Sequence, residues 1–318
     1  MATRGRKLTR VVEFEEKSIK EVAQEFYTYN RVKQLSEATQ KQYQQYIGNF
    51  IKWYGEENLI ADITAATMDR YIDKKSQEGI KAVSIASTMR HVKAFVKFAV
   101  KRNYMLEVDV TIPKFEFEQK EPYTDDEMDL LLKKPRSNNW VEYRSWVMVN
   151  YFFGTGQRLS TVLNIKVEHL DFENNRVWLE HNKDKIKKWM PLSSQTVKIL
   201  KEYIAVSALQ EQDYLFPEYE GGQLKNRSAE DAIADYNRSR GVKKTSIHLF
   251  RHTFAKHYIV NGGNALVLQK LLNHKSLDMT MRYVNLYSQD IANELDLFNP
   301  LDSFNRSNYT PSKRRKIG

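Results

Sequence analysis

Four short stretches in the second half of the chain hold residue types that could act on a phosphate ester. The first, Gly154-Thr155-Gly156-Gln157-Arg158, is a glycine-flexed turn expected to open a helix with Arg158 in its first turn. An arginine there offers a planar fork to phosphate oxygens, and a helix N-terminus adds partial positive charge. It is not a nucleotide-binding loop, because the Gly-x4-Gly-Lys-Ser/Thr spacing is missing. The second runs from Asn182 to Lys188 and carries Lys183, Lys185, Lys187 and Lys188. A lysine on a rigid hairpin can protonate a leaving alkoxide, although a lysine-rich turn is also simply a soluble turn. The third is His248-Leu249-Phe250-Arg251-His252, where a spacing of three puts His248 and Arg251 on one helix face. In the fourth, His274 is followed nine residues later by Tyr283.

Taken singly, each pattern has an ordinary structural explanation, and a lone tyrosine is more often a core residue than a nucleophile. Together they supply what phosphoryl transfer without a metal requires: fixed cations around the phosphate, a proton donor for the leaving oxygen, and a nucleophile. His248 and His252, four apart, also copy part of a zinc motif. The glutamate that would complete it is replaced, and Arg251 between them would repel a cation, so no metal is expected. No cofactor is expected either.

The elements that must position these residues follow from periodicity. From Ser18 to about Tyr104 the pattern is helical, with Tyr43, Tyr46, Ile47, Phe50, Ile51 and Tyr54 on one face and Gly55 closing that helix. A third helix is predicted from near Thr64 to Gly79. A fourth runs from about Ser84, with Ile85, Met89, Val92, Phe95, Val96 and Ala99 as its buried stripe. Its other face carries Arg90, Lys93, Lys97 and Lys101, a solvated face or a DNA-contacting one. Between Glu107 and Tyr123 the period disappears, bracketed by Pro113 and Pro122. A capping box at Thr124-Asp125-Asp126-Glu127 then starts a second helical domain. Alternation around Asp171-Phe172, Arg176–Glu180 and Lys188–Leu192 predicts a small antiparallel sheet inside it. The expected organisation is a basic arm over 1–15, a helical domain over 16–106 whose basic face suits DNA, a linker over 107–123, a second, mainly helical domain over 124–300 that carries the four stretches, and a basic tail over 301–318. The fold class is mainly α with a small antiparallel β-sheet in the C-terminal domain.

Composition agrees with such a reading. A chain of 318 residues with 41% hydrophobic content can bury two cores. Fifty Lys and Arg against forty Asp and Glu give a net charge of +10, which suits a polyanionic partner, though a basic soluble protein would look the same. With no cysteine, disulfides, thiolate zinc sites and cysteine nucleophiles are excluded. No run of about 18 apolar residues occurs, and the first ten residues lack the apolar stretch of a signal peptide, so a cytoplasmic protein is expected. The tail ending Lys313-Arg314-Arg315-Lys316 could bind DNA, direct nuclear import in a eukaryotic host or do neither.

These segments resemble the signature boxes of the tyrosine recombinase and phage integrase family. Thr155-Gly156-Gln157-Arg158 resembles its first arginine box, His248 to Ala255 its His-x-x-Arg-His box, and Leu271-Leu272-Asn273-His274 with Arg282-Tyr283 its Leu-Gly-His to Tyr box. Gln157 stands where the family usually has an apolar residue, and Thr161 where it often has an acidic one. The resemblance spans about Ser18 to Phe298 in architecture and Tyr151 to Tyr287 in motifs. It implies a site-specific recombinase shaped as a two-domain C-shaped DNA clamp, needing neither ATP nor metal. Tyr283 would attack the scissile phosphate to give a 3′-phosphotyrosyl link. Arg158 and Arg251 would hold the non-bridging oxygens, His248 would hydrogen-bond the phosphate or relay the tyrosine proton, and His274 would add a further donor to the phosphate. Lys183, eight residues before Pro191, would be the general acid, with Lys185 as the fallback. The implied partners are double-stranded recombination sites and three further copies of the chain; the amphipathic stretch of Ile291, Leu295 and Phe298 would pack either onto a neighbouring copy, as in relatives, or within its own chain. The short basic arm suggests the absence of a full accessory-site domain. A type IB topoisomerase or a catalytically inactive DNA-binding regulator are the alternatives; a metal hydrolase on His248 and His252 is a more distant one.

Overall fold

The structure is a computed structural model that describes residues 15–115, 121–180 and 187–287. It divides into two compact units, at 119 and 120.

In the first unit four helices enclose one core: α1 (Ile19–Val32), α2 (Glu37–Tyr54), α3 (Ala65–Gln77) and α4 (Ala82–Lys101). Each start reflects local chemistry. Ser18 and Glu21 form a reciprocal capping box on α1, Ser36 caps α2, and Thr64 caps α3. Gly55 ends α2 at φ +108°, a backbone conformation that favours glycine. All six residues expected as the stripe of α4 are buried. On α2 only Ile47, Phe50 and Ile51 are buried, while Tyr43, Tyr46 and Tyr54 sit at the rim. Phe26 joins the helices through edge contacts with Tyr43, Phe95 and Phe98 at 5.1–5.6 Å between ring centres.

The segment expected as a linker is anchored at both ends. Met105 and Val110 are buried in the first core, and Tyr123 is wholly buried in the second. The Tyr123 backbone N–H donates to Thr253 Oγ1 (3.0 Å), and its hydroxyl accepts from the buried Asn237 amide (2.9 Å). A periodic pattern cannot reveal such anchors, because isolated apolar residues in extended chain carry no repeat.

In the second unit α5 (Asp125–Leu132) opens on the expected capping box of Thr124 and Glu127. The central helix is α6 (Trp140–Thr155), packed by α8 (Ser194–Val206), α9 (Asn226–Ser239) and α10 (Ile247–Val260). Between α6 and α8 lie the single turn α7 (Leu159–Val162) and an antiparallel sheet of β1 (Leu170–Asp171), β2 (Arg176–Leu179) and β3 (Lys188–Pro191), in that order. Val177, Leu179 and Met190 face the core, and Trp178 pairs with Trp189 on the opposite face, as period-two alternation requires. Finally, α11 (Ala265–Leu272) and α12 (Asp278–Tyr287) close a small separate cluster of Ala255, Ile259, Leu268, Leu272 and Tyr283. Among the described residues no helix is long and apolar enough to cross a membrane.

Candidate active site

The site is assembled where α6, α10 and α11 end or cross. Helix α6 terminates at Gly156, left-handed at φ +61°, whose N–H returns to the Phe152 carbonyl (2.8 Å). A Cβ at position 156 would stand 2.5 Å from Phe254 and 2.7 Å from Leu272, so only glycine fits. Helix α11 ends the same way at Asn273 (φ +53°), a residue type that tolerates this conformation and stands where the family box has glycine. These two reversals present the carbonyls of Gly156 and Leu272 to one side chain. Arg251, buried on α10, donates from Nη1 to Gly156 (2.8 Å) and from Nη2 to Leu272 (2.6 Å). The two bonds occupy two of the five guanidinium N–H donors and fix the plane of the fork.

Arg158 lies two residues beyond Gly156 and lines a cleft together with His248, Arg227 and Arg238. The helix after it is one turn long, so the helix-dipole contribution expected from the sequence is small, and Arg158 acts through its own charge. Burial, and then the Arg158 charge, lower the Arg251 pKa to about 9, while the Tyr283 hydroxyl opposes the change. Arg251 therefore remains cationic at neutral pH, and two cations are held together by backbone geometry. An arriving anion relieves that repulsion.

Tyr283 is 6% exposed, with its ring in the small cluster and its hydroxyl 2.8 Å from Nδ1 of His252. Burial raises its pKa, and the nearby Arg251 charge offsets part of that. His274 lies parallel to the Tyr283 ring at 6.3 Å, and its Nδ1 hydrogen-bonds Thr280 Oγ1 (2.8 Å). His248 meets His252 edge-on, 4.9 Å between ring centres. The expected residues Arg158, His248, Arg251, His274 and Tyr283 are thus gathered in one region. Lys183 and Lys185 lie outside the described residues, as do Ile291, Leu295 and Phe298. The base of their hairpin is nevertheless tied to the site, since Lys188 on β3 donates to the Lys270 carbonyl (3.1 Å) and Asn273 Oδ1 (3.3 Å).

His252 is the residue that sequence reasoning passed over. In the sequence it reads only as half of an incomplete zinc motif, and the signal it carries is its place next to Arg251, one turn beyond His248. Among the described residues no group of three or more His, Asp or Glu side chains is arranged to hold a metal ion.

Burial, followed by the charges of Arg251 and Arg158, lowers the His274 pKa to about 4. The folded site therefore favours neutral imidazole. Stability from this residue is fully present above the ordinary histidine value of about 6.5 and is lost as pH falls through about 4. Denaturant titrations at pH 7 and pH 4 are expected to show a smaller loss of stability in His274→Gln than in the wild type. Equal losses would contradict the burial of a neutral imidazole.

Comparison with known proteins shows the family and the fold. The phage integrase family description matches residues 123–290, and that of the phage integrase N-terminal SAM-like domain matches residues 23–103. The chain belongs to the phage integrase family and is a tyrosine-type site-specific DNA recombinase with the two-domain fold of that family. Among its relatives is tyrosine recombinase XerC of Shigella dysenteriae serotype 1, 25% identical over 276 residues that cover 84% of this chain and 92% of the relative. XerC of Anoxybacillus flavithermus is 27% identical over 269 residues, covering 80% and 89%. The fold is shared with the Tn1549 transposon integrase in complex with transposon right end DNA (TM-score 0.73, 16% identity, 88% of this chain and 98% of the other). It is also shared with a lambda integrase dimer bound to a COC′ core site (TM-score 0.69, 16% identity, 84% and 95%).

Proposed function

We propose that this recombinase cuts and rejoins double-stranded DNA through a 3′-phosphotyrosyl link on Tyr283. The observation that carries the reading is the Tyr283 hydroxyl hydrogen-bonded to His252, with the His274 ring 6.3 Å from the Tyr283 ring and the charges of Arg251 and Arg158 acting on the phenol. Arg158 and Arg251 bind the non-bridging oxygens and stabilise charge that grows in the transition state, worth several kcal/mol in a partly desolvated site. His248 hydrogen-bonds the phosphate from the cleft, and His274 adds a donor. Lys183 on the hairpin protonates the 5′-oxygen as it leaves. The freed 5′-hydroxyl later attacks a phosphotyrosine on a partner strand, so the ester bond energy is kept and neither ATP nor a metal ion is consumed.

We further propose that the first unit, over 16–106, grips DNA through Arg90, Lys93, Lys97 and Lys101 on α4. Arg90, Lys97 and Lys101 are exposed. Lys93 is half-buried and donates to the Val110 carbonyl (3.3 Å), so it contributes less than the other three. The linker is placed at 107–123 and the catalytic domain at 124–300, with basic segments at 1–15 and 301–318. The working assembly is a homotetramer on paired sites, and a lambda integrase tetramer bound to a Holliday junction has this fold (TM-score 0.69, 16% identity). A cytoplasmic, DNA-associated location fits that role.

The test is incubation with a nicked suicide duplex built from DNA flanking the gene, in EDTA and without nucleotide. A denaturant-stable protein–DNA complex, and strand exchange between two such sites, are expected. Binding without a covalent complex would point to an inactive regulator, and relaxation of supercoils without exchange to a topoisomerase.

A further inference from the structure

The nitrogen that meets the phenolic hydroxyl at 2.8 Å belongs to His252, to which the mechanism above gives no task. The two histidines of α10 face different parts of the site. His248 lines the cleft with Arg158, whereas His252, perpendicular to it, holds Nδ1 2.8 Å from Tyr283 Oη. That separation is within the reach a general base requires. Because burial disfavours the phenolate, Tyr283 enters the reaction with its proton on, and the proton needs an acceptor.

We propose that His252 is a catalytic residue: the base that takes the Tyr283 proton as its oxygen attacks phosphorus. The inference rests on Tyr283 being the nucleophile. The O–H bond breaks, the proton moves to Nδ1, and its bonding pair becomes the new O–P bond. The P–O5′ bond breaks, its pair leaves with the 5′-oxygen, and that oxygen receives a proton from the hairpin lysine. His252 is left as imidazolium. When a 5′-hydroxyl later attacks the phosphotyrosine, the same histidine returns the proton to the departing phenolic oxygen. The charged and titratable groups around the Tyr283–His252 pair are His248 and Arg251 on α10, Arg158 before α7, His274 ahead of α12, and Arg282 and Tyr287 on α12.

The experiment uses the full chain and a nicked suicide duplex that the wild type cleaves, comparing His252→Asn and His252→Phe in single-turnover adduct formation. Asparagine keeps a hydrogen-bond acceptor near the position of Nδ1 but cannot take the proton, and phenylalanine keeps the shape alone. Duplex binding close to wild type is expected in both, with adduct formation slower by about 100-fold at neutral pH. The deficit of His252→Asn relative to wild type should shrink by about tenfold per pH unit between pH 7 and pH 9, as the phenolate fraction replaces the missing base. A purely structural defect would leave that ratio constant. The proposal is overturned by wild-type rates in either variant or by a deficit independent of pH. It is equally overturned if a duplex with sulfur at the 5′-bridging position restores the rate, because that leaving atom needs no proton and rescue would mark a donor to the leaving group. An adduct that survives Tyr283→Phe removes the nucleophile assignment itself, whereas failure of the His252 outcomes alone leaves it standing.

Discussion

Tyr283→Phe is expected to bind recombination-site DNA like the wild type, to melt within a few degrees of it, and to form no covalent complex. The substitution deletes one oxygen. The ring stays in the cluster of Ala255, Ile259, Leu268 and Leu272, so apolar burial is unchanged, and the single lost hydrogen bond to His252 is worth about 1 kcal/mol. Folding and phosphate binding by the two arginines therefore persist while the nucleophile is gone. Gel shift, thermal melting and denaturing electrophoresis of the adduct separate the three quantities. Residual adduct at the wild-type level would mean that another residue attacks; loss of binding together with the adduct would mean that Tyr283 serves the fold.

The second large effect is expected at Arg251, where structure and chemistry share one side chain. Arg251→Ala leaves the carbonyls of Gly156 and Leu272 without their buried donor, at about 1–3 kcal/mol each. It also removes a preorganised cation from the phosphate, which lowers the cleavage rate by about 100- to 1,000-fold. Arg251→Lys separates the two losses. Lysine keeps the charge, but its ammonium is a point donor without the fork that spans two carbonyls and still faces a phosphate. It should recover part of the rate and little of the stability. Denaturant midpoints and single-turnover rates read these outcomes, and an alanine variant as stable and fast as the wild type would show that the guanidinium bonds are incidental.

The main features of the fold were legible because they are periodic or capped. The α4 stripe from Ile85 to Ala99, the capping box at Thr124 and the alternation through Arg176–Leu179 are local signals, and each became the expected element. The site was legible as a set of residue types in order, though not as a geometry. That His252 rather than His248 contacts the Tyr283 hydroxyl depends on how α12 packs against α10, a contact between positions 31 residues apart that spacing along one helix cannot predict. The expectation that Arg158 begins a helix with a useful dipole failed in degree, because α7 stops at Val162 after one turn. Likewise Val110 and Tyr123 anchor a segment that reads as featureless chain, since burial of single residues leaves no periodic trace.

The central claim is that the oxygen of Tyr283 becomes esterified to DNA. Its most direct measurement is mass spectrometry of the nuclease-trimmed, protease-digested covalent complex, locating the residue that carries the nucleotide remnant. The account predicts a 3′-linked nucleotide on Tyr283 and on no other residue; a remnant on a different tyrosine, or on a serine, would contradict it.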